Sequence, residues 1–176
     1  MSERAYAWSE IPHLAKRTVW SLRKPAPDPD GQAWLVALLT EAEQALYWQM
    51  DEVDRAHAIG CAVAVENEPT EVIVASALHD VGKVDASLGT PGRVVATLCG
   101  LFISERAQAW PPNRRGLRGR IARYLDHADR GVTRLTAAGA SQLAIDWARE
   151  HHLPEDKRTM APEMWGLLHE ADEIAD

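Results

Sequence analysis

Apolar residues recur at helical spacing almost throughout the chain, and no stretch of useful length alternates apolar with polar residues as a half-buried strand does. Such a chain must bury its apolar stripes helix against helix, so the expected fold is all-α, a compact bundle of seven to nine helices. Prolines, glycines and capping residues cut the pattern into pieces. Residues 9–22 read as a short helix, and the run of prolines at 25, 27 and 29 cannot continue it. Residues 1–30 are therefore taken as an N-terminal helix and proline-rich linker, and 31–176 as the main domain. Thr40 with Glu43 fits a capping box opening a helix to about Met50. Val53, Ala56, Ile59 and Val63 extend an apolar stripe as far as residues 66–69. Further helices are expected over residues 71–79, 90–110, 117–125, 132–138, 141–151 and 161–175.

The 176 residues suffice for one domain with a sizeable core, and 46% hydrophobic with 26% charged residues lies within the ordinary globular range. A formal net charge of −7 argues against a general nucleic-acid-binding surface, whose affinity rests on clustered Lys and Arg. The longest largely apolar run, residues 94–103, is too short for a membrane span, which needs roughly 20 residues. The N-terminus shows no signal-peptide core, and the expected location is the cytoplasm. Cys61 and Cys99 lie in apolar stretches without a C-x-x-C pairing and read as buried, reduced core thiols.

The chemistry lies in the histidines. Of seven, five stand with two aspartates at expected helix ends or faces: His57, His79-Asp80, His127, His151-His152 and Asp172. Neutral imidazole with carboxylate suits divalent first-row metals, and the lack of cysteine in this set points away from a structural zinc site toward iron or manganese. Adjacent His79 and Asp80 would diverge by about 100° on a regular helix. At a helix end that divergence is useful, since the carboxylate can bridge to a second ion roughly 3.5–4 Å from the first. Lys83, one turn on, shares their side of the chain and is placed to grip a phosphate. Gly82 lets the backbone pass close to the site.

Leu78-His79-Asp80-Val81-Gly82-Lys83 resembles the H-D-x-G-K signature of the HD-domain superfamily of metal-dependent phosphohydrolases. The ordered set extends the resemblance over about residues 51–176. It comprises an upstream histidine (His57), the His-Asp pair, a histidine before x-x-x-Gly (His127, Gly131), a His-His pair and a late Ala-Asp (Ala171-Asp172). The last elements are similar to those of the HD-GYP and related cyclic-dinucleotide phosphodiesterases. That resemblance implies an HD-domain bundle in which His57, His79, Asp80 and Asp172 hold one ion, and Asp80, His127, His151 and His152 the other. Leu153-Pro154-Glu155-Asp156 follows the His-His pair in place of a D-G-x-G-Y-P segment, which points away from cyclic di-GMP. Val53 stands where some members carry a glutamate for a third metal, so two divalent transition-metal ions are expected.

The implied activity is hydrolysis of a phosphate mono- or diester, nucleotides included, with Lys83 and Asp80 as the catalytic residues. The alternatives are a mixed-valent di-iron oxygenase, since the fold also resembles myo-inositol oxygenase, and a non-catalytic nucleotide-binding signalling module. The adjacent His151-His152 pair favours hydrolysis, because the oxygenase pattern needs one histidine there. The expected partner is a small phosphorylated substrate, with no stable nucleic-acid or membrane partner; the oligomeric state is left open. His13 and His169 match nothing in the pattern. Arg114, Arg115, Arg118, Arg120 and Arg123 form a basic cluster that reads first as a solvated helix face and second as a funnel for anions.

Overall fold

A computed structural model describes residues 26–102, 106–107, 109–113 and 115–175. The helix expected over residues 9–22, together with His13 and Arg114, lies outside the described residues. Among the described residues the chain forms nine α-helices, two short 3-10 turns and no strand, an all-α bundle.

Helix α1 (Pro29–Leu38) begins inside the run expected to be linker. Proline is compatible with the first helical position, where its missing N–H has no partner to lose. Asp28 caps the turn by accepting from Gly31 N at 2.7 Å. Helix α2 (Glu41–Tyr47) opens on the expected box, in which Glu43 N donates to Thr40 Oγ1 at 3.3 Å and Thr40 N donates to Glu43 Oε2 at 2.9 Å.

Helix α3 (Glu52–Ala64) has the expected period but a rotated face. Ile59 of the expected stripe is buried, but Val63 is 46% exposed, and Asp54, His57, Ala58, Cys61 and Ala62 share the inward side. The inward stripe carries polar groups and so escapes a reading by hydrophobicity. Helix α4 (Thr70–Leu78) buries every residue from Val72 onward. Helices α3, α8 and α9 all pack on it, which makes it the central rod of the bundle. After Leu78 the chain tightens into the 3-10 turn Val81–Ala86, and α5 (Thr90–Phe102) follows; part of the helix expected as far as residue 110 lies outside the described residues.

Helix α6 (Leu117–Leu125) matches expectation, but α7 (His127–Ala137) starts well before residue 132. Gly131 looks like a breaker in sequence, yet in the fold it is a buried helical position packed near Gly82 N and His79 O. Helix α8 (Gln142–Glu150) is capped by Ser141, which accepts from Ala144 N at 3.2 Å, and α9 (Pro162–Ile174) again starts on a proline.

The main core gathers Leu35, Tyr47, Leu78, Leu135, Trp147 and Leu168, and a smaller cluster around Leu88, Ala96, Ile121 and Tyr124 joins α5 to α6. Arg93 of α5 reaches Asp51 at 2.6 Å and Asp54 Oδ2 at 2.7 Å, tying that smaller unit to the N-terminus of α3. No helix among the described residues is long and apolar enough to cross a membrane.

Candidate metal centre

Each of the seven metal-ligand candidates sits where its element ends or faces inward. His57 is on the buried face of α3, and Asp172 on that of α9. His79 is the C-terminal cap of α4, and Asp80 opens the 3-10 turn with φ −92° and ψ 4°. His127 is the first residue of α7. His151 caps the C-terminus of α8 and His152 follows it. All are buried except His152, which is partly exposed.

They meet in two groups that share one carboxylate. In the first, Asp172 Oδ1 lies 2.9 Å from His57 Nε2 and 3.4 Å from His79 Nε2, and His79 Nε2 lies 3.6 Å from Asp80 Oδ2. In the second, His127 Nε2 and His151 Nε2 are 3.2 Å apart, and they stand 3.5 Å and 3.8 Å from Asp80 Oδ1. A ligand nitrogen of His152 joins them within 4.8 Å. Two donors each about 2.1 Å from one ion are separated by roughly 3.0 Å at a right angle and 3.4 Å at a tetrahedral one. The observed separations fall around those values.

Protonation sharpens the point. Three Nδ1 atoms face backbone carbonyls: His79 to Ser76 O at 2.8 Å, His127 to Tyr124 O at 2.7 Å and His151 to Ala148 O at 3.0 Å. A carbonyl only accepts, so each Nδ1 is the donor, and in the neutral ring Nε2 turns a bare lone pair inward. Carbonyl contacts of this kind commonly set the tautomer of metal-ligating histidines. Burial pushes His127 down to about 4 and His151 well below its ordinary value, so both are neutral at pH 7. Their facing lone pairs repel unless a cation lies between them. Burial also opposes a charge on His79, but Asp80 and Asp172 outweigh it and hold that ring above its ordinary value.

The buried His/Asp cluster is thus chemically fit to hold metal. No family model, curated protein or solved structure matches the chain. The reading of the site therefore stands on its geometry.

Lys83 is buried rather than exposed, and its Nζ pairs with Asp80 Oδ2. The 3-10 turn after Asp80 brings it there, one step around from His79, with the Tyr124 ring 6.0 Å away. Gly82 does what its sequence position suggests. A Cβ on it would lie 1.9 Å from His127 O and 2.5 Å from Gly131 N, so the turn carrying Asp80 and Lys83 presses directly on the backbone that delivers His127.

Sequence reasoning missed three contributors. Asp85 binds Arg130 at 3.4 Å and pairs with Arg134, holding α7 against the 3-10 turn; the Arg134 contact depresses its carboxyl below the usual range. Glu150, 1% exposed, accepts from Thr159 N at 2.8 Å and Met160 N at 3.0 Å and so folds the segment after His151-His152 back on α8. Neither carries a spacing signal, because their partners are defined only by the fold. The third is Cys61, expected as a core thiol. It is fully buried, but its Sγ lies 3.4 Å from His57 Nε2 on the wall of the first group. A Cys four residues after a candidate ligand histidine on one helix was the available signal.

Of the basic cluster, Arg120 and Arg123 donate to Ala86 O at 3.2 Å and Asp85 O at 2.7 Å, which makes them braces of the 3-10 turn. Arg115 and Arg118 are exposed. His169 stacks on Trp165 with ring centroids 4.4 Å apart and takes no part in the ligand groups.

Proposed function

We propose that the chain is a metal-dependent phosphohydrolase of the HD-domain type that acts on a phosphate mono- or diester. One observation carries the reading: the two oxygens of Asp80 face two separate groups of donors, Oδ2 toward His79 and Oδ1 toward His127 and His151. A carboxylate so divided would serve two ions at once, and such pairs of divalent ions serve hydrolysis of phosphate esters. His57, His79 and Asp172 would hold one ion and His127, His151 and His152 the other. Bound ions of this kind lower the pKa of a water and neutralise phosphoryl oxygens.

The chain's own groups do the rest. Nδ1 contacts to backbone carbonyls hold three of the rings in the ligating orientation. Lys83 brings a fixed positive charge beside Asp80, where an anionic ester would meet it. A cleft of about 450 Å³ is lined by Trp110, Leu125, Asp126, Arg149 and Leu153 among others, residues that flank the second group along the chain, and has the volume for a small phosphorylated substrate. Asp126 precedes His127 and Leu153 follows His152. That both His151 and His152 belong to one ligand group supports hydrolysis over the oxygenase alternative, which leaves a position open there.

Elemental analysis of protein purified without chelator, with assays on a panel of phosphoesters and nucleotides, tests the reading. Asp80→Ala should lose both ions and all activity, whereas His127→Ala should retain the first ion. Protein that takes up no metal on titration, or equal partial loss in the two variants, would count against the bridge.

A further inference from the structure

We propose that Cys61 is a thiolate ligand of the ion held by His57, His79 and Asp172, making that centre a mixed nitrogen, oxygen and sulfur site. The proposal deepens the metal-binding reading and rests on it. Cys61 follows His57 by one helical turn on α3, so the two side chains project from the same face. Its side chain is fully buried, and Sγ stands 3.4 Å from His57 Nε2. Sγ, a ring nitrogen of His57 and a carboxylate oxygen of Asp172 all lie within 4.8 Å of one another. A metal bound to sulfur at about 2.3 Å and to imidazole at about 2.1 Å separates those atoms by roughly 3.1 Å at a right angle and 3.6 Å at a tetrahedral one. The observed separation lies between these limits.

A second observation points to a cation at the same place. His79 Nε2 is buried and aimed at the same Asp172 Oδ1, 3.4 Å away, with Asp80 Oδ2 at 3.6 Å. Two carboxylate oxygens and a ring nitrogen gathered in a dry interior call for positive charge between them. Cys99 is the internal contrast: it is partly exposed, packs against the smaller apolar cluster and belongs to no ligand group.

Formation of the sulfur–metal bond sends the thiol proton to solvent, and the sulfur lone pair becomes the bonding pair, with no change of oxidation state. Thiolate is a soft donor, so the first position should prefer zinc, cobalt or ferrous iron over manganese or magnesium.

Cobalt(II) added to the metal-free full-length chain is the probe. The parent and Cys99→Ser should develop a sulfur-to-cobalt charge-transfer band in the near ultraviolet. Cys61→Ser should lack that band while still binding cobalt, more than about tenfold more weakly. Cobalt binding to the parent without the band would overturn the thiolate and leave the metal centre standing. Failure to bind cobalt, zinc, iron or manganese would overturn both. Should Cys61→Ser fail to fold, X-ray absorption of the zinc-loaded parent decides: a sulfur shell near about 2.3 Å is expected, and a shell of nitrogen and oxygen alone overturns the assignment.

Discussion

Lys83 shows how one residue's meaning changes with burial. In sequence it sits one turn past His79, where a solvated lysine near a helix end would serve as well as one facing a substrate. In the fold it is 6% exposed and paired with Asp80, a carboxylate that also faces histidines on both sides. An ammonium has no lone pair and cannot ligate, so its role is electrostatic. Lys83→Met keeps the apolar stem and deletes the charge. Metal content should remain nearly intact, since removing a neighbouring positive charge cannot weaken a cation site by repulsion. Turnover of a phosphoester hydrolysed by the parent should fall about 100-fold, the usual loss of one preorganised charge-stabilising donor. The metal-free variant should also lose roughly 3–5 kcal/mol of stability, because a buried carboxylate is left without its counter-charge. Metal loading should recover most of that loss. Calorimetric scans with and without metal, beside the rate measurement, check both parts, and full activity in the variant would remove the catalytic role.

Element by element, the sequence was legible where local chemistry decides and opaque where tertiary contact does. The Thr40–Glu43 box, the Ser141 cap and the bounds of α6 follow from residues within a turn of each other. Helix α1 is hidden in the sequence because three prolines outweigh one favourable first-turn position, and the start of α7 is hidden because Gly131 reads as a breaker. The inward face of α3 is legible only at Ile59, because the rest of its buried set includes Asp54 and His57. The metal-ligand candidates were legible because histidines and aspartates are rare enough for their order to be noticed, whereas Asp85 and Glu150 resemble any other acid on a helical chain. The two glycines of the site make a paired test of the junction between the 3-10 turn and α7. Gly82→Ala sets a Cβ against backbone atoms that cannot swing aside, and should cost more than about 3 kcal/mol while separating Asp80 from His127. Gly131→Ala meets its nearest atoms at 3.5 Å, an ordinary contact, within a helix where alanine is favoured. It should be neutral or stabilising by up to about 1 kcal/mol. Urea unfolding of both variants gives the comparison, and similar costs would mean that the 3-10 turn and α7 are not pressed together at Gly82.

Across the whole molecule, the donors come from α3, the α4 junction, α7, α8 and α9, and the pair His57 and Asp172 spans 115 residues of chain. An unfolded chain offers no such site, so metal affinity is linked directly to folding. One ion at a free concentration 100 times its dissociation constant stabilises the native state by about 2.7 kcal/mol. For a domain of this size that raises the melting temperature by roughly 5–10 °C, and a second ion adds to it. The net charge of −7 introduces a rival cause, because any cation relieves some self-repulsion of an acidic chain. The rival predicts that sodium or magnesium at matched ionic strength does the same, and that Asp80→Ala keeps the response, since one acidic group among many is lost. The metal centre predicts a rise with the logarithm of zinc, iron or manganese concentration, reversal by chelator, and no response in Asp80→Ala. Thermal scans of the parent and the variant across a metal titration separate the two, and superimposable parent curves with chelator and with metal would leave the buried cluster without its ion.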